Sequence, residues 1–267
     1  MAVDLLAHVR TESDRFAAAL RDADLAARVP SCPDWTAADL LWHLAEVHHF
    51  WAVVVGERIV DGDAAEAAGE LERPDSDAAL FEVYERTTTA LLDALAGAED
   101  TTPVWTWAPE QEVGFVRRFQ AHEALMHRVD AELVSGAPTP LPAELAADGI
   151  EVVTRYTMTW RPGWATWTPS GGVGLLHATD TGTRVVVRPG SWGGHSPDTG
   201  KDYADEPAVE LVDKGRLADT DPTFTVSAPA ADLDAWLWNR PGFGEVDVTG
   251  SEADYERFRA QVTAGVQ

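Results

Sequence analysis

Three ionisable residues sit where helical periodicity carries them onto inward faces. Stepping from His43 by four, seven and eleven residues gives Val47, Phe50 and Val54, so this histidine lies on an apolar stripe. In a second segment, stepping from Val116 gives Phe119, Glu123 and His127, with Glu123 and His127 four apart on one face. Asp130 follows His127 by three, one further turn along. A buried acid beside a histidine without a partner costs several kcal/mol, roughly, so two helices aiming such groups inward need a common reason. A divalent metal supplies one. A histidine from one helix and a Glu/His pair from another make three ligands and leave coordination positions open, as in catalytic sites. Nitrogen with carboxylate suits Zn²⁺ best, with Ni²⁺, Fe²⁺ and Mn²⁺ also compatible. Asp130 is placed to accept the outer N–H of a ligand imidazole. The same spacing also describes a satisfied Glu/His pair and a core histidine bonded to a carbonyl. His48 and His49 fall roughly 140° and 120° from His43 around the helix and are read as surface or boundary residues.

The elements that must position these groups are helical up to about residue 160. Amphipathic spacing predicts a helix over 3–24, and VPSCPDW (29–35) reads as a connection. Thr36 with Asp39 has the form of a reciprocal N-cap, opening a helix over 37–58. The acidic stretch 61–76 reads as a long mobile loop. Helices are predicted over 77–96, stopped by Gly97, and over 113–135, stopped by Gly136, with a fifth over 142–158. No strand signal lies among them. After residue 160 glycines and β-branched runs take over: a hairpin over 172–190, strands over 208–212 and 224–227, and helices over 231–238 and 252–262. The expected fold is α+β overall, with an up-down four-helix bundle (1–158) followed by a smaller α+β domain (159–267).

Composition bounds the function. The chain has 267 residues, with 20 Lys+Arg against 45 Asp+Glu and a net charge of −25, which argues against nucleic acid or an anionic membrane surface as partner. Hydrophobic content of 45% excludes a chain disordered throughout. No apolar run reaches the roughly 18–20 residues of a membrane span. The start, MAVDLLAHVR, lacks a basic lead into an apolar block, so a cytoplasmic protein without a secretory signal is expected. The single cysteine, Cys32, has no basic neighbour in sequence and reads as an incidental thiol. Gly172 and Gly174 lack the third glycine and following helix of a dinucleotide site. Trp105, Trp107, Trp160, Trp164 and Trp167 read as packing near the domain junction. Arg240, in WLWNRPGFG (236–244), reads first as a helix cap, with carboxylate binding as the alternative.

The segments CPDWTAADLLWHLAEVHHFW (32–51) and RRFQAHEALMHRVDAELVSG (117–136) together resemble the mycothiol-dependent maleylpyruvate isomerase family, within the DinB-like metal-binding bundle superfamily. LLHATDTGTRVVV (175–187), APAADLDAWLWNRPG (228–242) and VDVTGSEADYERFRA (246–260) resemble that family's C-terminal domain. The resemblance implies a DinB-like bundle with a metal on His43, Glu123 and His127, a cleft beside a smaller α+β domain, and a catalytic arginine at Arg240. It also implies mycothiol as thiol cosubstrate, deprotonated at the metal and added to a small electrophile. Addition followed by departure gives cis–trans isomerisation; addition alone gives S-transfer. The acidic surface speaks mildly against a dicarboxylate such as maleylpyruvate. Two further readings stand beside the enzyme: a non-catalytic metal- or thiol-binding module on the same scaffold, and an interaction protein using exposed tryptophans. A monomer or weak homodimer is expected.

Overall fold

A computed structural model describes residues 3–67, 70–136, 138–212 and 221–264. The chain divides into two compact units, Met1–Thr139 and Pro140–Gln267.

The first unit is built on α1 (Leu5–Arg21), α2 (Ala37–Gly56), α4 (Asp77–Ala96) and α5 (Val113–Ser135). The N-cap over Thr36 and Asp39 forms as the sequence indicates: Asp39 N–H donates to Thr36 Oγ1, and Thr36 N–H to Asp39 Oδ2. Two features depart from expectation. A small antiparallel hairpin, β1 (Arg28–Val29) with β2 (Cys32–Thr36), lies where only a connection is expected. The stretch 61–76 contains a short helix, α3 (Gly62–Glu66), whose start is capped when Asp61 Oδ1 accepts from Ala64 N–H; residues 68 and 69 of that stretch lie outside the described residues. Apolar side chains from three helices, among them Phe16, Leu20, Leu40, Leu44, Leu80 and Tyr84, share one core.

Helix directions follow from side-chain pairings. α1 and α5 run the same way, with Glu12 meeting Arg128, Arg15 meeting Glu132 and Ala19 meeting Ser135. α2 and α4 also run together, His48 meeting Thr88 and Gly56 lying against Ala94. α5 folds back on α4, since Arg117 near its start holds the Leu95 and Ala98 carbonyls at the end of α4. The four helices therefore run up-down-down-up rather than in the expected up-down alternation, because α2 and α4 are parallel across the long connection between them; α2 and α5 are antiparallel.

The second unit begins with α6 (Ala143–Val152), continued as a π turn over Val153–Thr157. The boundary expected at 158/159 falls inside this unit because α6 packs on α7 (Ala230–Leu237). Gly149 allows the approach; a Cβ there would lie 2.4 Å from Asp234 Oδ2. The sheet has the order β3 (Thr166–Pro169), β5 (Arg184–His195), β4 (Gly174–Ala178), β7 (Phe224–Ala228) and β8 (Asp247–Gly250), with β6 (Asp202–Leu211) also on β5. The expected 172–190 hairpin is the β4–β5 pair, Gly174 opposite Val187 and His177 opposite Arg184. β4 and β7 are parallel. α8 (Glu252–Ala264) inserts Phe258, 0% exposed, against Phe224. No helix among the described residues is long and apolar enough to cross a membrane.

Candidate metal centre

Antiparallel packing brings the early part of α2 beside the later part of α5, and the three expected ligands meet there. His43 Nε2 lies 3.7 Å and His127 Nε2 3.3 Å from Glu123 Oε1. One ligand atom from each of the three residues can be chosen so that all lie within 4.8 Å of one another. Ligands about 2.1 Å from a tetrahedral ion stand roughly 3.4 Å apart, so the donor spacing fits a cation between them. The imidazole rings of His43 and His127 meet edge to face, with centroids 5.0 Å apart. The His43 side chain is 33% exposed and the other two less, so the group opens to one side.

Neighbouring residues fix the ligands. Asp130, fully buried, has Oδ2 3.0 Å from His127 Nδ1 and receives the Ser31 hydroxyl on Oδ1. Placing the proton on Nδ1 leaves the His127 Nε2 lone pair toward Glu123 and His43. Ser31 comes from the turn of the small hairpin and Trp35 from its second strand, where its ring packs 4.7 Å from that of His43. The unexpected hairpin thus positions two neighbours of the site.

Burial works against ionisation of Glu123, but hydrogen bonds and charge from His127 and His43 hold its carboxyl well below the usual carboxylate range. Burial likewise disfavours the His127 imidazolium, yet Asp130 and Glu123 raise it to about 9. The ordinary satisfied pair is therefore available to the metal-free protein, held together by a proton.

His48 overturns its reading as a surface or boundary residue. It is 0% exposed, with Nδ1 2.9 Å from Thr88 Oγ1 on α4, and burial pushes its pKa down to about 3. The face of α2 turned away from His43 is not free, because α2 packs along α4 as well as α5. His49 is half-buried, as a boundary residue is.

Arg240 lies in the second unit, past the end of α7. Its Nη1 donates to the Trp238 carbonyl at 2.7 Å, the capping contact read from the sequence. It also lines a cavity of about 470 Å³ together with Trp236, Phe243, Tyr255 and Arg259. Trp164 packs on Trp192 and Tyr203 inside the second unit, while Trp105 and Trp107 pack inside the first.

The fold and the clustered ligands define a helical bundle with a candidate metal centre, joined to an α+β unit. Residues 6–132 match the sequence profile described as mycothiol maleylpyruvate isomerase N-terminal domain. The matched stretch holds His43, Glu123 and His127 and the helices that carry them. Two solved structures share the fold over both units. The first is a crystal structure of the mycothiol-dependent maleylpyruvate isomerase, with 16% identity, TM-score 0.58, and 94% of each chain covered. The second is a histidine-to-alanine mutant of the mycothiol-dependent maleylpyruvate isomerase, with 15% identity, TM-score 0.59 and the same coverage. None of the curated proteins matches the chain.

Proposed function

We propose that this chain is a metal-dependent enzyme that uses mycothiol as thiol cosubstrate and acts on a small electrophile as an isomerase or S-transferase. The observation that carries the reading is the convergence of His43, Glu123 and His127 from two helices on one point, open to one side. The family match over the same helices supports it. Zn²⁺ is the ion this donor set suits best. A divalent cation held there supplies acidity to a thiol placed beside it, which the lone Cys32 of the chain does not replace.

The chain's own groups supply the rest. Asp130, steadied by Ser31, keeps the His127 proton on Nδ1 and its Nε2 available. Trp35 holds the His43 ring in place. The thiol sulfur forms a bond to the electrophilic carbon of a conjugated carbonyl, and the displaced electron pair passes to the carbonyl oxygen. Rotation about the new single bond and expulsion of the thiolate completes isomerisation. Protonation at the adjacent carbon, with the C–S bond kept, completes S-transfer. Arg240 is proposed as the catalytic arginine, its guanidinium being suited to stabilise an enolate. The test is mycothiol consumption with a panel of conjugated carbonyls and epoxides, with and without chelator. Turnover abolished by chelator and restored by Zn²⁺ is expected. Mycothiol binding without product would instead support the non-catalytic module.

A further inference from the structure

One to two helical turns along the bundle from the three ligands, the first unit carries an aromatic cluster that coordination does not require. Because α2 and α5 are antiparallel, moving from His43 toward Phe50 and from His127 toward Phe119 goes the same way along the bundle. Phe50 lies on the His43 stripe and Phe119 one turn before Glu123. The loop between α4 and α5 ties these two residues together. Trp105 meets Phe50 with ring centroids 6.1 Å apart, and Trp107 meets Phe119 edge to face at 5.1 Å.

This loop is strongly built. Gln111 Nε2 donates to the Thr106 and Ala108 carbonyls at 2.6 Å each, and its Oε1 accepts from Thr106 N–H at 3.1 Å. The Thr106 hydroxyl lies 2.9 Å from the Glu110 carbonyl. A rigid loop that nonetheless leaves a tryptophan 42% exposed presents that ring at some cost in apolar surface. Glu46, exposed, is three residues past His43, and Arg73 is tied to Asp39 at 2.8 Å.

We infer that Trp107 and Phe119 form the specificity wall of the site, and that the electrophile it takes is a neutral aryl-conjugated carbonyl compound rather than a dicarboxylate. The inference rests on the thiol-enzyme reading for the chemistry but on the wall alone for binding, and the two are tested apart. The probes are unreactive saturated analogues, 4-phenyl-2-butanone for the aryl class and succinate for the dicarboxylate class, titrated calorimetrically into the full chain. Metal content is measured on the same samples. The aryl ketone should bind more tightly than succinate. Trp107→Ala should weaken it about tenfold, while Trp107→Phe, which keeps a ring, should stay within about threefold of the parent. Circular dichroism checks that both variants fold. Tighter succinate binding, no binding of either probe, or an aryl affinity indifferent to Trp107→Ala overturns the inference. A metal-free sample that still shows the aryl preference removes the metal reading and leaves the wall standing.

Discussion

Helix α5 carries two charge clusters whose residues interleave in sequence and face different neighbours. Arg128 is 0% exposed and faces α1: its Nε donates to Glu12 at 2.9 Å, and Nη1 to Glu132 and the Thr139 carbonyl at 2.8 Å each. There the positive charge is part of the chain. His127, the preceding residue, faces α2, and the carboxylates of Glu123 and Asp130 lie 3.3 and 3.0 Å from its two ring nitrogens. In the proposed function its positive charge is exchangeable, a proton on the imidazole giving way to a metal ion. The comparison teaches that burial alone does not mark a functional cluster. What marks it is acid and imidazole converging with a charge that can come and go.

The largest expected effect breaks the fixed cluster. Arg128→Ala takes the nearest cation from buried Glu12, leaving Arg15 at 3.5 Å, and should cost about 3 kcal/mol in urea unfolding. Wild-type-like stability of that variant would erase the contrast. Asp130→Asn acts on the exchangeable cluster: metal affinity should fall by about 10–100-fold, measured by competition with a chromogenic chelator, with the fold retained.

A pH experiment sharpens the contrast further. Folding raises His127 from 6.5 to about 9, so its contribution to the metal-free fold is complete below about pH 6.5 and is lost as pH rises through about 9. Melting temperature in chelator should therefore fall over that window. The metal-loaded protein should lack this fall, since a ligating His127 is already neutral, and metal uptake at pH 7 should release a proton. The smallest effect lies away from both clusters. Hydrogen bonds from Thr36 hold the Asp39 carboxyl at about 2, below its ordinary 3.8. Asp39→Asn should cost about 1 kcal/mol at neutral pH, and the difference should fade as pH falls from 3.8 through about 2.

Much of this was legible in residue spacing. The α4 and α5 bounds, the Thr36 cap and the three converging ligands all follow from helical period and local capping chemistry, which act within a few residues. What escaped depends on partners distant in sequence. TWTP and DVTG carry too few alternating apolar residues to announce strands, yet β3 and β8 form because β5 and β7 offer ladders to join. His48 is buried by α4, and no spacing within α2 shows that contact. The specificity wall shows the same limit. Trp107 and Phe119 are separated by a loop and a helix start, and their contact depends on how Gln111 closes that loop.

The most direct test of the central claim is the metal content of the purified full chain, by inductively coupled plasma mass spectrometry after dialysis against Zn²⁺ and removal of excess. About one ion per chain is expected, falling to near zero in Glu123→Gln and His127→Ala. A folded parent protein that retains no ion, or variants that retain as much as the parent, would contradict the account.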